Sequence, residues 1–208
     1  MRALLPTGLL LLAVAAGAAR ADPTDLADVP KSAVQDAGQL TLGVTQDLYS
    51  PDGGSRDTKL LSRFGLFGRA ELGLDVDDVR GGADWNLDGK LLLLDRGDFS
   101  PVALAAGFDD WGPDTDSLVY LVAGTALGPV ELTAGLGGIG RADLMAAAEV
   151  GVARSVTLFV EYFGPEDTAS AGFDWDVTDR FGIEAYWTRG TKDKSDALTL
   201  SLTITFGA

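Results

Sequence analysis

The chain has 208 residues, 31 acidic side chains against 16 basic ones and a formal net charge of −15, a balance that repels nucleic acid and anionic lipid surfaces. It contains neither His nor Cys, which excludes Ser-His-Asp triads, His-ligated zinc, disulfides and a lipid-bearing cysteine. With 46% hydrophobic residues, 27 Gly and only 8 Pro, the composition is that of an ordered domain rather than a disordered one.

The first 21 residues have the form of a secretory signal. Arg2 gives a positive start, Leu9–Ala16 an apolar stretch, and Ala19-Arg20-Ala21 a small-x-small cleavage motif. The apolar stretch falls short of the roughly 20 residues a spanning helix needs. Removal of residues 1–21 takes away Arg2 and Arg20 but no acid, so the remainder, 22–208, is more acidic still and of a size for one domain.

From there the recurring signal is two-residue alternation, the mark of strands with two chemically different faces. In chain order, strands are expected at 38–47, 58–65, 69–77, 82–94, 101–109, 117–127, 129–137, 143–152, 155–163, 169–178, 180–189 and 195–206. Leu72, Leu74 and Val76 oppose Glu71, Gly73 and Asp75. Phe173, Trp175 and Val177 oppose Asp174 and Asp176, and Ile183 and Trp187 oppose Glu184 and Tyr186. The last segment sets Leu198, Leu200, Leu202, Ile204 and Phe206 against Thr199, Ser201, Thr203 and Thr205. The alternation is poorest over 58–65. The count is twelve, with ten as the alternative.

Connections alternate as well. Tight ones fall at Leu66-Phe67-Gly68, Leu127-Gly128-Pro129, Ala153-Arg154-Ser155 and Thr178-Asp179-Arg180, with Arg96-Gly97-Asp98 slightly longer. Longer polar ones span 49–57, 109–116 and 189–196. Short turns on one side and long loops on the other describe an all-β, closed, antiparallel up-and-down barrel. An even strand count puts both termini on the short-turn side.

The polar face separates a membrane barrel from a soluble sandwich. It is rich in Thr, Ser, Gly, Asp and Glu and poor in Lys, while the apolar face is almost free of charge. That suits lipid outside and a confined hydrophilic interior. Trp85, Tyr120, Tyr162, Trp175, Phe181, Trp187 and Phe206 lie near strand ends, where membrane barrels carry aromatic girdles.

The terminal segment, alternating and ending in Phe206 before Gly207 and Ala208, resembles the C-terminal signal of bacterial outer-membrane β-barrels of the porin-like kind. The resemblance implies outer-membrane lipid and the barrel-assembly machinery as partners. The segments Arg63–Leu74, Leu87–Leu91 and Pro101–Gly107 look like YjbH-type barrels linked to exopolysaccharide secretion. That likeness, confined to the first half of the mature chain, implies a polysaccharide-export partner.

Two motifs compete with the barrel reading. Gly135–Gly140 fits GxGxxG with Glu161 downstream, but Ala146, Ala148, Val150 and Val152 keep period two where a dinucleotide fold needs a helix. Asp84–Asp95 fits an EF-hand spacing, yet flanking helices are absent and Leu92 stands where oxygen is needed. Neither a cofactor, a metal ion nor a catalytic residue is therefore expected, and the chain does not read as an enzyme.

The candidate functional residues are the acids of the polar face: Glu71, Asp75, Asp84, Asp88, Glu131, Glu149, Glu161, Asp174, Asp176 and Glu184. Lys90 and Arg63 are the basic residues expected to share it. In a narrow lumen such acids would attract cations. Alternatively, they line a water-wetted interior and are balanced by loop Lys and Arg. The functional expectation is a small channel for hydrophilic or cationic solutes. The other reading is a non-conducting envelope barrel, its lumen plugged by Phe159, Phe163, Tyr186 and Leu92.

Overall fold

In the computed structural model, residues 29–49, 58–79, 83–97, 100–112, 117–138, 141–192 and 195–207 are described. The expected signal segment 1–21 lies outside them, as do residues 50–57 and 113–116 of the expected long loops. Twelve strands follow one another: β1 (Leu40–Tyr49), β2 (Thr58–Leu66), β3 (Ala70–Asp77), β4 (Asp84–Leu94), β5 (Val102–Trp111), β6 (Leu118–Leu127), β7 (Val130–Gly138), β8 (Asp143–Ala153), β9 (Val156–Phe163), β10 (Thr168–Thr178), β11 (Phe181–Gly190) and β12 (Asp196–Phe206). Each pairs antiparallel with its sequence neighbours, and β1 pairs with β12, so the sheet closes into a barrel. Closure leaves no strand edge with unpaired backbone groups, which is the condition for sitting in hydrocarbon.

The seam is regular at the turn end, with Leu40 opposite Phe206 and Leu42 opposite Ile204. Outward residues there are apolar on both strands, and the inward pair Thr41 and Thr205 shares a hydroxyl hydrogen bond of 2.9 Å. The first tight turn, Phe67 to Arg69 between the paired Leu66 and Ala70, holds Phe67 and Gly68 at positive φ (56° and 62°) and is closed by the Arg69 N–H donating to the Leu66 carbonyl at 3.1 Å.

Alternation sends most of the strand leucines and the tryptophans outward. Leu42, Leu60, Phe64, Leu72, Leu74, Trp85, Leu87, Leu121, Leu136, Leu158, Val160, Phe173, Trp175, Trp187, Ile204 and Phe206 are all exposed on the outer wall. An apolar belt this continuous far exceeds what a water-facing surface carries. Tyr120 departs from the girdle expected for it. It is buried inside the barrel, where its ring covers Gly107. A Cβ at Gly107 would lie 2.4 Å from the Tyr120 hydroxyl and 2.4 Å from the Gly89 carbonyl oxygen, so the wall is thin there to admit the ring.

The weak alternation of β2 has a local cause. Leu61 points inward over Gly43, where a Cβ would come within 2.7 Å of its Cδ1. Ser62 points outward but donates its hydroxyl to the Leu74 carbonyl at 2.9 Å. Each residue breaks the pattern without breaking the pairing.

The interior is divided into sectors. Ala105, Leu118, Tyr120, Val122, Met145, Ala147, Phe159 and Phe163 form one apolar cluster on β5, β6, β8 and β9, with Tyr186 against it and Val29 buried within it. Hydroxyls line another sector: Thr45 to Ser201 at 3.1 Å, Thr199 to Asp47 at 2.8 Å and Ser170 with Thr188 at 2.9 Å. The charged sector lies on β2, β3, β4 and β5.

Residues 29–37 do not belong to the wall and cross the interior before β1 begins, whereas Gly38 and Gln39 already bond Gly65 of β2.

Candidate functional site

The charged sector is built by register. On β2, Lys59, Leu61 and Arg63 face inward. Leu61 stands opposite Asp75 of β3, and Arg63 stands opposite Gly73. A Cβ at Gly73 would lie 2.6 Å from Arg63 Nη1. The missing side chain lets the guanidinium lie across β3. From there it bonds Asp75 and reaches Asp88 Oδ2 of β4 at 2.9 Å. Lys59 Nζ sits 3.0 Å from the other Asp75 oxygen, 3.7 Å from Asp77 and 3.8 Å from Asp110. Asp75 is wholly buried, and two cations facing one carboxylate offset its desolvation.

Around this pair the acids accumulate. Asn86 donates to Asp77 at 2.6 Å, and the Asp110 backbone N–H donates to Asp88 Oδ1 at 3.0 Å. The carboxylates of Asp88, Asp109 and Asp110 lie within 4.8 Å of one another. Asp110 reaches the group because it takes a left-handed conformation, φ 53°, at the end of β5. The positive charge facing this group comes from the chain itself, from Arg63 and Lys59.

Nearer the turn end, Lys90 of β4 lies directly opposite Glu71 of β3. Their charged atoms are 3.1 Å apart and their side chains only 2% and 3% exposed. The second Glu71 oxygen accepts the Gln35 backbone N–H at 3.0 Å. Across the barrel, Glu149 of β8 binds Lys31 Nζ at 2.7 Å, and Glu161 of β9 accepts the Val29 N–H at 3.1 Å.

The remaining candidate acids are dispersed. Asp174 is buried directly opposite half-buried Glu184 on β10 and β11. Asp176 lies near the turn end, where its backbone N–H donates to the Ser155 carbonyl. Glu131 sits at the turn-end rim with Arg96 at 3.3 Å. Asp84 is exposed at the loop-end start of β4. The structure thus joins Asp75 and Asp88 through Arg63, ties Glu71, Glu149 and Glu161 to residues 29–35, and leaves Asp84 and Glu131 at the two rims.

Sequence reasoning missed Lys31, Lys59, Asp109 and Asp110. Lys59 was legible in principle, since it lies four residues from Arg63 and so shares its face. Lys31 precedes the strands, where no periodicity marks it. Among the described residues, the cations that meet Glu71, Asp75, Asp88 and Glu149 come from strands and from this segment.

At the loop end, Lys192 hydrogen-bonds Asp167 and Arg141 bonds Asp143 at 2.8 Å. Each acceptor carboxylate holds its partner's pKa above the ordinary value, first by the hydrogen bond and then by charge. The two decoy motifs dissolve into wall. Asp84 to Leu94 is β4, and Gly135 to Gly138 ends β7, with strand β8 rather than a helix after it. Ile139 and Gly140 lie outside the described residues.

No protein-family model matches the chain, and no curated protein matches it. Among solved structures it is similar to the KdgM porin, at 10% identity and a TM-score of 0.63, covering 80% of this chain and 99% of that one. KdgM is also known in complex with disordered oligogalacturonate, and that structure matches with a TM-score of 0.62 at 10% identity. The NanC porin matches at 9% identity and a TM-score of 0.55, covering 80% of this chain and all of that one. These likenesses show a shared fold, the closed β-barrel of these porins.

Proposed function

We propose that this chain is an outer-membrane channel for small hydrophilic solutes and that its interior favours cations. The observation that carries the reading is the excess of carboxylates inside the closed wall. Glu71, Asp75, Asp88, Glu149, Glu161 and Asp174 are buried there, against buried Lys31 and Lys90 and the partly exposed Lys59 and Arg63. Low-dielectric walls sharpen the field of such groups, so mobile cations enter at lower cost than anions.

The apolar outer belt supports a place in lipid, reached by export through the signal at 1–21 and by the barrel-assembly machinery. The fold neighbour KdgM has been captured with oligogalacturonate, a polyanionic sugar. The interior described above would repel such a ligand, so shared fold does not carry over to shared solute. The ten acids from Glu71 to Glu184 that share the polar face are proposed as contributors to this field, with Asp174 and Glu184 in the lining and Asp84 and Glu131 at the entrances.

Planar-bilayer recording under a potassium chloride gradient tests the proposal. A reversal potential of the sign for cation selectivity is expected. An anion-selective protein refutes the preference, and a protein silent in every form refutes the channel.

A second reading has its own observation. The apolar cluster and the buried residues Val29, Pro30, Lys31, Ser32 and Gln35 lie together inside the closed wall. A non-conducting barrel serving envelope assembly or polysaccharide export would look this way. Co-purification with a glycan or an export component, combined with electrical silence, would favour it.

A further inference from the structure

The segment before β1 takes a path that no barrel needs for its own closure. It starts beside β2, where the Gly38 N–H donates to the Gly65 carbonyl and the Gly65 N–H donates to the Gln39 carbonyl, both at 2.9 Å. Gln35 then binds Glu71 on β3, Ser32 reaches Gly124 on β6, Lys31 binds Glu149 on β8, and the Val29 N–H binds Glu161 on β9. In a ring of twelve strands, β2 and β8 are six places apart, which is diametrically opposite. The segment therefore spans the whole lumen. It also climbs, because Gly65 and Glu71 sit beside the turn end of their strands while Glu149 and Glu161 lie well inside theirs.

Two observations of different kinds show that the wall accommodates this segment. The first is burial: Val29, Pro30, Lys31, Ser32 and Gln35 are almost fully enclosed, although Lys, Ser and Gln would ordinarily stay in water. The second is the pair of glycines along the path. A Cβ at Gly65 would stand 2.0 Å from the Asp36 carbonyl oxygen, and one at Gly124 would stand 2.2 Å from Ser32 Oγ. Neither glycine has a positive φ, so the backbone itself does not demand glycine there. The space they leave is taken by the segment.

We infer that residues 29–37 are a resident plug that closes the channel by occupying the carboxylates a cationic solute would otherwise meet. Lys31 and two backbone N–H groups hold Glu149, Glu161 and Glu71. The plug is thereby a stand-in for the solute, and opening requires those contacts to be exchanged for water, salt cations or the solute itself. This inference rests on the channel reading above and adds a closed state to it.

The chain has no cysteine, so a single engineered pair can lock the plug. The Ser32 Cβ lies 3.2 Å from the Cβ position at Gly124, close to the spacing of about 3.8 Å found in disulfides. The variant Ser32→Cys/Gly124→Cys is recorded in planar bilayers when oxidised and again after reduction. Loss of openings when oxidised, with their return on reduction, supports the plug. Failure of the disulfide to form overturns it, because the two residues are then not neighbours. Equal conductance in both redox states overturns the plug and leaves the channel standing.

A second variant, Gly65→Val, puts a side chain where the Asp36 carbonyl lies while leaving every wall charge in place. Openings more frequent than those of the parent are expected, in a protein that keeps its heat-dependent gel shift. If Gly65→Val and the reduced lock are both silent, the channel reading itself fails.

Discussion

The Lys90–Glu71 pair offers a quantitative test of how dry the interior is. Both side chains are almost completely enclosed and stand 3.1 Å apart on adjacent strands. Replacing Lys90 with Met leaves the Glu71 carboxylate with the Gln35 N–H but without its countercharge. Breaking a buried pair in this way costs about 3 to 5 kcal/mol, and Glu71→Leu should also destabilise by taking its carboxylate away from the enclosed ammonium. The double variant Glu71→Leu/Lys90→Met removes both charges of the pair and leaves the Gln35 N–H without its Glu71 acceptor, a loss of about 1 to 3 kcal/mol. Urea unfolding in lipid vesicles, followed by gel mobility and by fluorescence of the four tryptophans, supplies the three values. The double variant should be more stable than either single one. If each single change costs less than about 1 kcal/mol, or if the two add within about 0.5 kcal/mol, the pair is bathed in water and the enclosed interior is wrong.

Other parts of the wall give simpler expectations. Val160→Arg, in the middle of β9 on the outer belt, should destabilise the barrel in vesicles by about 2 to 4 kcal/mol in the same urea assay; a neutral result would mean that the face does not meet lipid. Gly107→Ala should lower stability by about 1 to 3 kcal/mol, because its Cβ meets the Gly89 carbonyl and the Tyr120 hydroxyl, and Tyr120→Ala in the same background should recover only the part due to the ring. Asp174→Asn/Glu184→Gln should shift the reversal potential toward zero in a potassium chloride gradient without altering the gel shift, and an unchanged potential would remove these two acids from the conduction path.

The wall was legible because its signal is local. A strand with lipid on one side and a polar interior on the other must alternate, so nearly every strand falls within a few residues of its expected bounds. β1 shows the main offset. Its expected start at 38 moves to Leu40 because Gly38 takes a left-handed φ of 81°, which breaks the extended backbone just before the strand. The candidate acids were identifiable as a face but not as a constellation. Parity says that Asp75 and Asp88 point inward, yet only the register across Gly73 shows that Arg63 reaches both. Asp110 enters the cluster through a left-handed backbone turn that alternation cannot foresee. Tyr120 lay near a strand end and invited a girdle role, but inward parity and the glycine beneath it decide its place. The crossing segment was invisible for a deeper reason. Residues 29–37 carry no period, and the carboxylates that hold them come together only once the ring has closed.

The two-faced closed wall can be tested position by position. The chain lacks cysteine, so single cysteines from Val156 to Phe163 along β9 can each carry a spin label in lipid vesicles. Labels at 158, 160 and 162 should be relaxed strongly by lipid-dissolved oxygen, while those at 157, 159, 161 and 163 should be shielded from it. A smooth profile without period two, or outward positions reached by a water-soluble relaxant instead, would contradict the barrel and the channel built on it.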